Sequence, residues 1–242
     1  FSPSLDYYMK LEDFNSGGIN RASEIRYRVG GKGINVSRIL GALGTKSLAL
    51  GFVSGFTGNE IERRLNEESI SNKFIDVSYG ISRINVKLIG KEETEVNAPA
   101  EILNGDVYIK ELSTLLNSVC ENDYVVFAGT IPSNISDKAI SFIFPRILER
   151  GASIVVDTSG NALEMSLTYK PYLIKPNLTE AAGMLGVKKK SFSFDYVCDM
   201  GKELCRLGAK NVLISCGADG AVLLCDDEQV FTCIAPQGDV YC

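Results

Sequence analysis

Histidine is missing from all 242 residues, which removes every mechanism that needs an imidazole: Ser-His-Asp and Cys-His nucleophilic catalysis, and the usual His-containing zinc sites. Chemistry must fall to carboxylate, Lys, Arg, amide or backbone groups. A surplus of positive charge is missing too. The 25 Lys+Arg against 30 Asp+Glu leave a formal net charge of −5, the wrong sign for nucleic acid or an acidic membrane. No apolar run approaches the roughly 20 residues of a membrane helix, and the opening FSPSLDYYMK lacks a signal-peptide layout. The seven cysteines include no C-x-x-C pair, so they read as reduced, mostly packed thiols rather than metal or redox groups. The expectation is a soluble cytoplasmic protein with no nucleic-acid and no membrane partner. Internal repeats and low-complexity tracts are also absent, and the length suffices for one large domain with its own core.

What is present alternates. In Gly33–Leu43, the residues Val36, Ile39, Leu40 and Leu43 stand at i, i+3, i+4 and i+7, predicting a helix whose apolar face they form and which Gly44 closes. Leu48–Val53 reads as a strand, and Thr57-Gly58-Asn59-Glu60 as a capping box opening a helix to about Glu68. Residues 83–97 break the rhythm: Arg83–Ile89 and Glu93–Asn97 alternate apolar with polar around a Gly90-Lys91 turn, predicting a two-sided hairpin to which Ile19–Val29 can add a strand. From Val107 the alternation returns, with helices at 107–119, 136–149, 160–167, 178–185 and 195–207. Strands are expected at Tyr124–Ala128, Ser153–Asp157, Tyr172–Ile174 and Val212–Ser215. Val/Ile-rich strands between helices imply a parallel sheet covered on both faces, with ligands beyond the carboxyl ends of its strands. The single charge run, Lys188-Lys189-Lys190, reads as a solvated loop.

Five polar or glycine-rich turns fall at the expected sheet edge: Gly30–Asn35, Gly129–Pro132, Asp157–Gly160, Lys175–Glu180 and Ser215–Gly220. Three glycines before a helix, with Lys32 among them, suit an anion at a helix N-terminus, and equally suit a tight turn with an exposed lysine. The stretch fits neither the Walker nor the Rossmann spacing. Asn177-Leu178-Thr179-Glu180 is a capping box that can also organise Mg²⁺ through water near a phosphate. Ser215–Gly220 reads either as a loop whose amides meet polyphosphate oxygens or as a plain turn. Arg83 opens the hairpin, where its guanidinium can fork onto a phosphate or decorate a sheet edge.

In order and spacing these segments resemble the ribokinase-like sugar kinase family. The carrying stretches are Ser2–Asp6, Gly30–Ser37 (GGKGINVS), Leu50–Phe52 with Gly55–Gly58, Ser82–Lys87, Glu93–Asn97, Asp157–Gly160, Lys175–Asn177 and Ser215–Ala221, almost end to end. The resemblance implies an α/β fold of one ribokinase-like domain over 1–242 with its C-terminal part missing. Its central, mostly parallel sheet has helices on both faces, and a small β-sheet lid has strands within about 7–29 and 83–97. It further implies ATP-dependent phosphorylation of a sugar phosphate with Mg²⁺, fructose 1-phosphate going to fructose 1,6-bisphosphate. Tagatose 6-phosphate and fructose 6-phosphate are the alternative acceptors.

By the same resemblance, Asp6, the turn residues Gly31, Lys32 and Gly33, and Asn35 hold the sugar. Arg83 with Lys32 holds its phosphate, and Asn97 joins the substrate site. Lys175, Asn177, Ser215, Gly217, Ala218, Asp219 and Gly220 serve the nucleotide, Glu180 the metal, and the hairpin supplies the lid and a homodimer interface. The family's catalytic Asp, in a G-A-G-D turn, is expected beyond Cys242, so the chain as given is expected to be inactive. A natural end at Cys242 would instead imply a non-catalytic sugar-phosphate or nucleotide-binding protein. The chain departs from the family at Ala98-Pro99-Ala100, where relatives tend to have Gly-Pro.

Overall fold

Period-2 strands around 4–30 and 84–97, with two helices between them, and strand–helix alternation afterwards produce two differently built regions. The structure, a computed structural model, describes residues 1–100, 105–132, 134–188, 193–236 and 238. Its contacts group into two compact units, Phe1–Leu115 with Ala128–Ile135, and Leu116–Phe127 with Ser136–Cys242. Lys189 and Lys190 of the lysine run lie outside the described residues. No described helix is long and apolar enough to cross a membrane.

The first unit contains β1 (Ser4–Lys10), β2 (Glu24–Gly30), α1 (Lys32–Ala42), β3 (Ala49–Val53), α2 (Gly55–Glu67), β4 (Asn72–Asp76), β5 (Ile84–Ile89), β6 (Glu93–Asn97) and α3 (Gly105–Leu115). Four strands form a sheet in the order β2-β1-β5-β6, with β1 antiparallel to β2, parallel to β5, and β5 antiparallel to β6. Cross-strand partners share a face, so register sorts the side chains. Leu5, Val29 and Ile84 fall on one face and pack with Ile34 of α1, Val53 of β3, and Ile61 and Leu65 of α2. Ser4, Asp6, Tyr8, Arg28, Asn85, Lys87, Glu95 and Asn97 share the other, polar face.

Two expectations need correction in this unit, and one strand goes unread in the sequence. On α1, Ile34 and Ser37 point inward, while Ile39 and Leu43 are 62% and 75% exposed. The period was right and the phase wrong, because the turn at Gly31 delivers the helix with Ile34 against Val29 and Leu5. The second helix starts at Gly55 after Ser54, so Thr57 lies inside it and forms no capping box. Its hydroxyl instead donates to the Ser82 carbonyl at 2.8 Å, and Glu60 bonds Arg63 and Arg64. Finally, β3 pairs in parallel with β4 in a separate two-stranded sheet, and β4 carries no alternation that marks it.

The second unit holds β7 (Tyr124–Ala128), α4 (Ser136–Glu149), β8 (Ser153–Asp157), α5 (Asn161–Ser166), β9 (Leu173–Ile174), α6 (Leu178–Met184), α7 (Phe194–Arg206), β10 (Asn211–Ser215), β11 (Ala221–Leu224) and β12 (Val230–Cys233). The six strands run in the order β12-β11-β10-β9-β8-β7, with β8, β9 and β10 parallel. Ile140, Ile143, Phe144 and Ile147 give α4 a fully buried stripe at helical spacing. Gly201 lets α7 lie close to β11, since a Cβ there would stand 2.1 Å from a Leu224 methyl. The sheet is mostly rather than wholly parallel, as expected: β11 and β12 return antiparallel after β10. Their tight connections leave no room for the crossover helix a parallel return requires.

Candidate functional site

Asp6 is the centre of the polar face. Its Oδ1 accepts from Ser4 Oγ at 2.8 Å and from Asn85 Nδ2 at 2.9 Å, and Asn85 also donates to Ser4 Oγ at 3.2 Å. Ser4 and Asn85 are buried. The carboxylate leans into space that exists because residue 30 is glycine: a Cβ there would lie 2.2 Å from Asp6 Oδ2. Next in chain, Gly31 has φ +120° and approaches Pro3, then hands the chain to α1. That helix begins with no side-chain cap and no acidic residue in its first turn, so its amide dipoles point outward uncompensated. Lys32 and Gly33 open it, and Gly129, with φ +82°, lies beside Lys32.

Arg83 stands at the start of β5, its carbonyl bonded by the Leu5 amide at 3.0 Å. It lines a cleft of about 210 Å³ with Ser2, Ser54, Gly80, Ser82 and Pro99. Burial pushes its pKa down while the Asp6 charge pulls the other way, and its Nε is buried with no hydrogen-bond partner among the described residues. A half-buried guanidinium with an orphaned donor favours an anion. The loop that carries it is clamped: Ser54 N donates to Ser82 Oγ, and Ser54 Oγ to the carbonyls of Val77 and Tyr79.

The other expected sugar-site residues are placed less directly. Asn35 sits in the first turn of α1 with its Oδ1 accepting from Arg38 at 3.0 Å. Asn97 is exposed on β6, opposite Asn85, and donates to Glu95. Sequence reasoning passed over Ser4 and Asn85 as site groups. The signal was present, since both are polar at positions where the strand alternation turns toward Asp6.

In the second unit two of the expected turns meet. The Ser215 amide donates to the Pro176 carbonyl at 3.1 Å, and Asn177 and Ser215 form a parallel bridge. Lys175 pairs with Asp157 at 3.1 Å, tying in a third turn. Asn177 and Glu180 form the expected capping box, each side chain bonding the other's backbone amide at 2.8 Å. Gly217, Ala218 and Asp219 make a short 3-10 turn closed by Gly220. Gly217 has φ +62° and faces open space, whereas a Cβ on Gly220 would stand 1.9 Å from the Cys233 carbonyl. The first glycine is free for a ligand and the second is required by packing.

Comparison with known proteins gives this arrangement its class. The chain belongs to the pfkB family of carbohydrate kinases, whose model matches residues 3–241. It is 40% identical over 237 residues to the 1-phosphofructokinase of Bacillus subtilis, covering 98% of this chain and 77% of that protein. It is 32% identical, over the same shares of the two chains, to a D-tagatose-1-phosphate kinase of Bacillus licheniformis. The fold matches a crystal structure of Escherichia coli phosphofructokinase-2 in complex with fructose-6-phosphate, with TM-score 0.91 at 24% identity over 100% of this chain and 80% of that one. The protein is thus a phosphotransferase of ribokinase-like fold. The expectation of inactivity is not borne out by these comparisons.

Proposed function

We propose that this protein transfers a phosphoryl group from ATP to fructose 1-phosphate, giving fructose 1,6-bisphosphate. The observation that carries the reading is the pairing of an oriented carboxylate, Asp6, with a half-buried arginine whose Nε lacks a partner among the described residues. Asp6 accepts from sugar hydroxyls, held in place by Ser4 and Asn85. Arg83 forks onto the phosphate already on the sugar, aided by Lys32 and the amides that open α1. Two relatives named for 1-phosphate sugars support an acceptor phosphorylated at C1.

The turn Gly217–Gly220 and the Lys175–Asn177 stretch suit a nucleotide's phosphates, because the open side of Gly217 lets a ligand approach the backbone closely. ATP supplies the transferred group, and the chain's contribution is positioning and neutralisation of charge on the moving phosphoryl. The fit to Mg²⁺ is narrower: no group of three or more His, Cys, Asp or Glu suited to a metal occurs among the described residues. Glu180 has one carboxylate oxygen committed to its cap, leaving the other for a metal-bound water, in keeping with an ion held mainly by phosphates. We further propose that the four-stranded sheet is a lid that dimerises through the outer part of its apolar face, beyond the part packed on α1 and α2, where Ile25 and Val96 are 53% and 59% exposed.

The test is an ADP-release assay with fructose 1-phosphate, fructose 6-phosphate, tagatose 1-phosphate and tagatose 6-phosphate. The proposal expects fructose 1-phosphate to have the highest kcat/KM. A preference of about tenfold or more for either 6-phosphate, a difference of about 1.4 kcal/mol, would move the phosphate to the other end of the sugar.

A further inference from the structure

On the polar face of the lid sheet, one residue pair beyond Asp6, three cations converge on a single ring. Arg28, Arg26 and Lys87 place their charged groups 4.9, 5.1 and 5.8 Å from the centre of Tyr8. Arg28 Nε also donates to Tyr8 Oη at 3.0 Å, and Tyr8 is only 7% exposed. Lys87 is paired across the strands with Glu95. Arg26 and Arg28 have no ion pair with any carboxylate among the described residues. Asp6 is the cross-strand neighbour of Arg28, but its Oδ1 is taken by Ser4 and Asn85 and its Oδ2 leans toward Gly30. Of the other carboxylates near β2, Glu24 lies at its far end opposite Lys10, and Glu60 is held by Tyr27 on the opposite face of the strand.

One long side chain would cover the ring. Two unpaired guanidinia two residues apart on one strand face, with an ammonium beside them, repel each other, and the attraction of each to the ring offsets that only in part. An anion seated among them relieves it. We propose that Arg26, Arg28, Lys87 and Tyr8 form a second anion site, separate from Arg83, that takes a phosphate dianion. The planar arginine forks and the Tyr8 hydroxyl match tetrahedral phosphate oxygens, and the exposed arginines leave it open to solvent. Asp6 and Arg28 are direct cross-strand partners, with Cβ atoms about 5 Å apart in such a pair, so a sugar held at Asp6 would bring its own phosphate within reach of Arg28. The phosphate can therefore be the free ion or the sugar's ester. The ester alternative rests on the proposed sugar site at Asp6 and would take the acceptor's phosphate from Arg83, whereas the free-ion alternative rests on no part of the proposed function and leaves Arg83 in that role.

The test is calorimetric titration of the protein with inorganic phosphate and, separately, with fructose 1-phosphate. Wild type is compared with R26Q/R28Q, with R26Q alone and with R83A. The expected result is binding weakened about tenfold or more in R26Q/R28Q, as for loss of two charge-assisted contacts, with phosphate binding retained in R83A. Weakening confined to inorganic phosphate names the free ion as ligand, and weakening of fructose 1-phosphate as well names the ester. R26Q removes one like charge from an exposed strand and serves as the folded variant should the double substitution unfold, with about threefold weakening expected from the single contact. Phosphate binding that is undetectable in wild type, or equal in wild type and either glutamine variant, overturns the site. Failure of every acceptor in the kinase assay would sink the functional proposal and leave the inorganic phosphate titration standing.

Discussion

The two units build their candidate site groups by opposite means. In the second, they come from short turns that follow one another along a sheet edge, Lys175–Glu180 beside Ser215–Gly220, and each turn is local in sequence. In the first, the central contact joins Asp6 to Asn85, 79 residues apart, and exists only because β1 and β5 pair in one register. A turn tolerates local change. A register-made cluster depends on every strand that contributes to it, so the first unit should respond to substitution more sharply and more selectively.

The sharpest break is at Gly30. Gly30→Ala drives a methyl onto the Asp6 carboxylate, which must swing away and drop its bonds to Ser4 and Asn85. The expected loss is about 100-fold or more in kcat/KM for the sugar phosphate, near 3 kcal/mol for two contacts to a charged group, with the KM for ATP within about twofold. Steady-state kinetics with each substrate varied in turn checks it, and an equal loss for both substrates would mean general damage.

The matching change in the second unit should be milder. Gly217→Ala meets no atoms but forces alanine to φ +62°, costing about 1–2 kcal/mol in a left-handed conformation. The KM for ATP is expected to rise about 5- to 30-fold by that strain if the loop relaxes away from its binding shape, while the sugar-phosphate KM stays put. A rise in the sugar KM alone would contradict the division of roles.

The smallest effect concerns the packing behind the four-stranded sheet. Hydrogen bonds from Arg63, then Arg64, hold the Glu60 pKa down at about 2. With the folded value below the unfolded one, the pair's stabilisation is present above about pH 4.5 and fades as pH falls through about 2. Glu60→Gln should lower stability by about 0.3–1 kcal/mol at neutral pH, as for partly exposed ion pairs. The gap between variant and wild type should close as denaturant melts move toward pH 2, and a gap independent of pH would assign the loss to packing instead.

The same contrast explains what the sequence reveals. The bounds of β7, α4 and β8 read off the pattern match the structure residue for residue, because helix periodicity and Val/Ile runs are local signals. The capping box at Asn177 was equally legible. The misreadings are tertiary: the phase of α1 is set by Ile34 meeting Val29, and the Thr57 hydroxyl answers to Ser82 rather than to its own helix. Lys32 and Arg83 stood out as polar groups in a glycine-rich and an alternating stretch, whereas Asp6 was marked only by the family resemblance of Ser2–Asp6. Ser4 and Asn85 acquire their meaning only once the strands pair.

The most direct test of the account is the pair of KM values for Arg83→Ala. If the half-buried guanidinium holds the acceptor's phosphate, the KM for fructose 1-phosphate rises roughly 10- to 150-fold, equivalent to about 1.5–3 kcal/mol. The KM for ATP barely moves, and Arg83→Lys recovers part of the loss, because a point charge cannot reproduce the fork. An unchanged sugar-phosphate KM in a folded Arg83→Ala protein would remove Arg83 from the site and contradict the account.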